Sequence, residues 1–289
     1  MKQLIVTADD FGAAPEVNEA VEAAHRDGIL TAASLMVGAP ATADAVARMQ
    51  RMPSLRVGLH LVLVEGVPLL PPASVPDLVD SSWHFRNDMT LAGMKMFFSP
   101  RTRAQLAAEI RAQFEAFHAT GLTLDHCNAH KHFHLHPVIA NLMLRIGKRF
   151  GLRAARVPSE PPNVLAKVEP GSRAASDWVT APWARLLRGR FRAAGVFAPD
   201  HTFGLRWSGH MTKNRLAGLI RNLPDGVSEI YLHPATKGGF AGAAPGYRYR
   251  EELAALLDPD VASAASVSAV RLGGFADFLK TENAGRQSQ

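Results

Sequence analysis

Cysteine is nearly absent. Cys127 is the single one in 289 residues. No intramolecular disulfide can staple the fold, and the chain fits a reducing compartment. Aromatic residues are sparse at 7%, which argues against the stacking platforms of a single-strand nucleic-acid binder. No apolar run is long enough to span a bilayer, and the first, Leu4-Ile5-Val6, is soon broken by Asp9 and Asp10. These absences predict a cytoplasmic protein with neither a secretory signal nor a membrane span.

What is present bounds the rest. The chain is 47% hydrophobic, enough for a sizeable core in one large α/β domain or two small ones. Its net charge is +6 and its pI about 9.8. That balance favours anionic surfaces, nucleic acid or lipid headgroups, without choosing between them.

Hydrophobic periodicity alternates between strands and helices from end to end. Gln3–Ala8 reads as a strand running into Asp9-Asp10-Phe11-Gly12. Pro15 opens a helix to about Asp27, with Val17, Ala20, Val21 and Ala24 on one stripe. Strands are expected at Ser34–Gly38, Arg56–Val64, Leu122 onward, Ala154–Val157, Ser228–His233 and Ala269–Leu272. Helices are expected at Ala41–Met52, Arg103–Thr120, Pro137–Phe150, Met211–Leu223 and Tyr249–Leu257. Residues 65–100 and 160–200 read as irregular insertions, and 282–289 as a polar tail. The pattern predicts one α/β domain over 1–281 with a parallel sheet, open or closed into a barrel, and no internal repeat. In either form, ligands gather at the carboxyl ends of the strands.

Chemistry-bearing residues recur at those ends. Five of the twelve histidines lie in His126-Cys-Asn-Ala-His130-Lys-His132-Phe-His134-Leu-His136. Residues two apart share a strand face, so His126, Asn128 and His130 are expected to point one way. Asp9 and Asp10 would repel each other if both were ionised in one pocket, and a cation relieves that. Asp10, His60 and His130 make a carboxylate-plus-two-imidazole set, the plan of a catalytic metal site with an open position. Asp9 is left to take a proton from water, and His233, ending Glu229-Ile-Tyr-Leu-His233, to protonate a leaving amine. Taken singly, each has a bland reading: a loop cap for Asp9, a buried histidine for His60, a strand-ending turn for His233. Their recurrence at successive strand ends is what the bland readings fail to explain.

Thr7-Ala-Asp-Asp-Phe-Gly12, Gly58-Leu-His-Leu61, His130-Lys-His-Phe-His134 and Glu229-Ile-Tyr-Leu-His-Pro234 resemble the YdjC/ChbG family of carbohydrate deacetylases, in order and spacing over nearly the whole chain. The resemblance implies a single-domain distorted (β/α) barrel of the polysaccharide-deacetylase type that removes N-acetyl groups from amino sugars with one divalent metal ion, zinc or magnesium. It matches Asp10, His60 and His130 to the metal positions, Asp9 to the base and His233 to the acid. His132 and His134 are assigned to substrate binding. Lys131 stands where the family often has a histidine. The stretches Ala13–Ala20, Val57–Glu65 and Asn128–Pro137 are most similar to the hopanoid-associated HpnK subgroup, which implies an N-acetylglucosaminyl hopanoid substrate.

Met89–Arg103 and Arg185–Arg192 mix apolar and basic residues, as segments resting on a membrane surface do. Attachment at the inner membrane face is therefore expected, and a homodimer is compatible with the sequence. Two other readings stand beside this one. A phosphoesterase on the same barrel would need a phosphate cradle, for which Lys237, Gly238 and Gly239 are the candidates. A basic nucleic-acid-binding protein would lack hydrolytic activity and bind in a salt-sensitive way.

Overall fold

The computed structural model describes residues 1–171 and 177–279, and the side chains of all of these except 177–181. The expected tail over 282–289 lies outside the described residues. β1 (Lys2–Phe11) leads to α1 (Pro15–Asp27), β2 (Ala32–Leu35), α2 (Thr42–Met49) and β3 (Arg56–Leu61). Helices α3 (Met89–Phe98) and α4 (Pro100–Ala119) precede β4 (Cys127–Ala129) and α5 (Pro137–Gly147). Then come α6 (Pro162–Val168), α7 (Asp177–Ala193), β5 (His201–Phe203), α8 (Lys213–Arg221) and β6 (Gly226–Leu232). The last elements are α9 (Tyr249–Leu257), α10 (Pro259–Val267) and β7 (Arg271–Leu272).

The strands pair in the order β4-β3-β2-β1-β6-β5, all parallel, with β7 added alongside β1. β1 lies between β2 and β6 and is buried from Gln3 to Asp9. A strand covered on both faces needs a near-continuous apolar run, and Leu4-Ile5-Val6 supplies it. Single bridges from Cys127 to Ala155 and from Ala154 to Phe197 carry the β4 edge toward the segment that enters β5. The sheet therefore curls back on itself as a half-barrel wrapped by helices, a single α/β domain as expected. Prolines open α1, α4, α5, α6 and α10, where the missing N–H costs nothing.

The insertions depart from expectation. Residues 65–100 contain α3, and 160–200 contain α6 and α7. α3 was not legible because Met89-Thr-Leu-Ala-Gly-Met-Lys-Met-Phe-Phe is apolar nearly all round and shows no stripe. Asp88 starts it by accepting the Leu91 N–H at 2.9 Å. Ala92 and Met96 pack inward, while Leu91, Met94, Phe97 and Phe98 face solvent. The strand expected from Leu122 begins only at Cys127, and Ala154–Val157 contributes bridges rather than a strand. β5 and α10 were not expected.

Candidate active site

The site is built where β1 ends. Successive residues of a regular strand face opposite ways, so Asp9 and Asp10 should diverge. The register with β2 shifts between Ala8 and Phe11, and Asp10 takes a left-handed φ of 63°. This irregularity turns both carboxylates into one cavity. Gly12 follows at φ 93°, and its N–H is accepted by the buried Asn18 side chain at 2.8 Å. Asn18 in turn donates to Ala41 and Asp44, tying the turn to α1 and α2.

Asp10, His60 and His130 converge. His60 Nε2 is 3.2 Å and His130 Nδ1 3.3 Å from Asp10 Oδ1. The two ring nitrogens are 3.4 Å apart. One ligand atom from each residue lies within 4.8 Å of the others, so the group could hold a metal ion. Its wiring fits that role. Asn128 Nδ2 donates to Asp9 and to Ser34, which leaves its Oδ1 to accept from His60 Nδ1 at 2.7 Å. That bond fixes the tautomer and presents the bare Nε2 lone pair to Asp10 and His130. Asp10 Oδ1 is buried with no donor in hydrogen-bond geometry. A carboxylate oxygen this close to two imidazole nitrogens is a donor set of the kind that could hold a cation. Burial pushes the His130 imidazole down, but Asp10 and Glu65 outweigh it and hold it up at about 9. The centre thus favours positive charge.

Asp9, 2% exposed, anchors a second network. Arg156, wholly buried, donates to Asp9 Oδ1 at 2.9 Å and, by a short bond, to Oδ2. The same guanidinium donates twice to Glu229 Oε1, at 2.9 and 2.7 Å, and lies over the Tyr231 ring. Ser34 and Asn128 also donate to Asp9 Oδ1. Among the described residues Oδ2 accepts only from Arg156, so acceptor capacity remains there. Burial raises the Asp9 carboxyl, yet Arg156, with His60 and His233, more than offsets it and keeps it well below the usual carboxylate range. Arg156 was missed in the sequence, although a charged residue inside Ala154-Ala155-Arg156-Val157 is a signal, since arginine is rarely buried unpaired.

His233 follows β6 on the wall of the same cavity. Its Nδ1 has no hydrogen-bond partner and lies 4.0 Å from Glu252, which accepts its backbone N–H. Burial lowers the His233 imidazole against the pull of Asp10 and Asp9. The cavity, about 240 Å³, is also lined by Tyr231, Tyr247 and Tyr249. Asp9, Asp10, His60, His130 and His233 are therefore brought together.

The remaining histidines separate. Lys131 and His132 both take left-handed φ, 51° and 54°, and break the strand alternation. Lys131 pairs with Glu65. His132 lines the cavity, with Nε2 2.7 Å from the Tyr231 hydroxyl. His134 does not reach the cavity: it is fully buried, with Nε2 on the Arg156 carbonyl at 3.0 Å. Its place is behind the site, supporting the arginine. His126 and Asn128 share a face as expected, both meeting Ser34, and His126 stacks on Phe275. Lys237 lies on Glu16 at 3.0 Å, so its charge is already paired.

The profile of a family described as YdjC-like protein matches residues 3–266. A carbohydrate deacetylase of Geobacillus stearothermophilus is 30% identical over 280 residues, covering 96% of this chain and 98% of that one. A carbohydrate deacetylase of Brevibacillus brevis is 38% identical over 160 residues, 55% of this chain and 59% of that one. A solved structure from Enterococcus faecalis V583, a proposed cellobiose-phosphate cleavage protein, superposes with a TM-score of 0.75 at 22% identity over 96% of this chain and 98% of that one. At that identity the likeness speaks for the half-barrel fold alone.

Proposed function

Because this chain belongs to the YdjC-like family, we propose that it is a metal-dependent carbohydrate N-deacetylase. The observation that carries the reading is the convergence of Asp10, His60 and His130 around an unpartnered Asp10 Oδ1, beside Asp9 and facing His233. Asp10, His60 and His130 would hold one divalent cation. When bound, that cation supplies Lewis acidity to water and to the acyl oxygen. Two imidazoles and a carboxylate suit zinc, whereas magnesium prefers oxygen ligands. Asp9, ionised and oriented by Arg156, takes the proton of the attacking water at Oδ2. His233 gives a proton to the departing amine. His132 and the tyrosines offer hydroxyl, imidazole and ring surfaces to a sugar, while His134 acts through Arg156.

The substrate inferred from the resemblance in three stretches is an N-acetylglucosaminyl hopanoid. A lipid substrate agrees with the outward apolar face of α3, which carries Leu91, Met94, Phe97 and Phe98 beside Lys95, and is followed by Arg101 and Arg103 in the first turn of α4. We place the protein at an anionic membrane surface through that face, and a homodimer is compatible with this placement. Among the described residues, no helix is long and apolar enough to cross a membrane. The test is acetate release from N-acetylglucosaminyl hopanoid and from N,N′-diacetylchitobiose, each with zinc or magnesium. Release from the hopanoid supports the full reading. Release from the chitobiose alone refutes the lipid substrate, and none from either refutes the deacetylase.

A further inference from the structure

The cavity has a second lobe. It meets the first at Asp10, Glu65, His130 and Gly242, which line both. Asp9, His233 and the tyrosines line only the first lobe. The second is about 320 Å³ and, beyond the shared residues, is lined mainly by apolar side chains such as Met36, Val62, Val67, Leu69 and Phe240, with His84 and Gln113 the polar ones. Val67 is 53% and Leu69 36% exposed, so apolar surface is left in water at its mouth.

This division has a direction. In amide hydrolysis the nitrogen leaves with its sugar and must meet the acid. With His233 in the first lobe, the amine and its sugar occupy that polar, tyrosine-lined side. The other substituent of the carbonyl carbon would then lie on the far side from His233, where Asp10 and His130 join the second lobe. An acetyl group places one methyl there and leaves most of the lobe unfilled. We propose that the second lobe is an acyl subsite that seats apolar N-acyl chains longer than acetyl. The protein then also hydrolyses fatty N-acylated amino sugars. Water adds its oxygen to the carbonyl carbon as the C–N bond breaks, giving a fatty carboxylate and a free amino sugar. The water's proton goes to Asp9 and the amine's comes from His233, so no further reactant is needed.

The inference rests on the amidohydrolase reading, and its test separates the two. The metal-loaded enzyme is given methyl glycosides of N-acetyl-, N-butanoyl-, N-hexanoyl- and N-octanoylglucosamine, and kcat/KM is read from the free amine. Each methylene that leaves water should raise kcat/KM about three- to fourfold until the lobe is full. Leu69→Asp and Val67→Asp should each lower the octanoyl-to-acetyl ratio about tenfold, equivalent to roughly 1.4 kcal/mol. Leu186→Asp, an exposed leucine on α7, should leave that ratio unchanged. Calorimetric binding of octanesulfonyl- and methanesulfonylglucosamine, which resist hydrolysis, gives a readout without turnover. Tighter octyl binding that Leu69→Asp removes, with no amide cleaved, would uphold the subsite and sink the deacetylase. Equal binding of both sulfonamides overturns the subsite. A preference for an octyl aglycone over an octanoyl amide overturns it too, because the lobe would then belong to the sugar's other end.

Discussion

Glu252 supplies a stability signal of unusual sign. It sits on α9 with 1% exposure. Its oxygens accept the Met211 N–H at 2.9 Å and the His233 N–H, and its nearest basic group, His233 Nδ1, is 4.0 Å away. Among the described residues no lysine or arginine pairs with the buried charge. Burial raises its carboxyl from 4.5 to about 7, against the pull of the two backbone donors. The folded protein therefore binds this proton more tightly than the unfolded chain does. Its contribution is fully present below pH 4.5 and is lost as pH rises to about 7. The difference between those two values corresponds to about 3 kcal/mol at 1.36 kcal/mol per pH unit. Other groups titrate in the same window. Burial holds His134 down to about 3, and its contribution is lost as pH falls from 6.5 through that value. A comparison with Glu252→Gln cancels such terms. Glutamine has one carbonyl oxygen for two N–H groups, so the lost hydrogen bond adds a pH-independent offset of about 1–3 kcal/mol, on which the titration of the wild-type carboxyl is superposed. The informative quantity is the slope. In urea titrations from pH 4.5 to 8, wild type should lose about 3 kcal/mol relative to the variant. Parallel curves would refute the reasoning, and so would a wild type that gains on the variant as pH rises.

Arg156→Met should destabilise the fold by about 3–5 kcal/mol, because Asp9 and Glu229 would stay buried without their guanidinium; an unchanged urea midpoint would count against that network. His60→Ala should fold normally yet fail to retain an equivalent of zinc after dialysis, and retention would remove His60 from the ligand set. Asp9→Asn should keep its metal and lose roughly two to four powers of ten in kcat. Metal analysis separates that result from one in which Asp9 is itself a ligand. Phe97→Ser with Phe98→Ser should lower cosedimentation with anionic vesicles, and equal pelleting of both proteins would clear α3 of a membrane role.

The alternation of strands and helices was legible because buried parallel strands need continuous apolar runs, and β1, β3 and β6 have them. α3 hid because its outer face is as apolar as its inner one. β5 and the bridges at Ala154, Ala155 and Phe197 hid because one to three residues carry no period. Asp10, His60 and His130 were legible since each lies within a residue of a strand's carboxyl end, with a side chain that suits little else there. The supporting shell was not, because its partners lie far apart in sequence. Asp9 meets Arg156 across 147 positions, and Thr7 meets Glu229 across 222. His132 and His134 looked alike until two left-handed residues turned one into the cavity and left the other beneath it. That shell also bears on the metal, by an argument separate from ligand type. With Glu252 held toward its neutral form by burial, Asp9, Asp10 and Glu229 bring three formal negative charges to the centre, and Arg156 returns one positive. Glu65 is matched by Lys131 and leaves this count unchanged. The remainder is two negative charges in a region where unpaired charge is costly. A divalent cation held by Asp10, His60 and His130 would cancel that remainder, whereas a proton on His130 would cancel half of it.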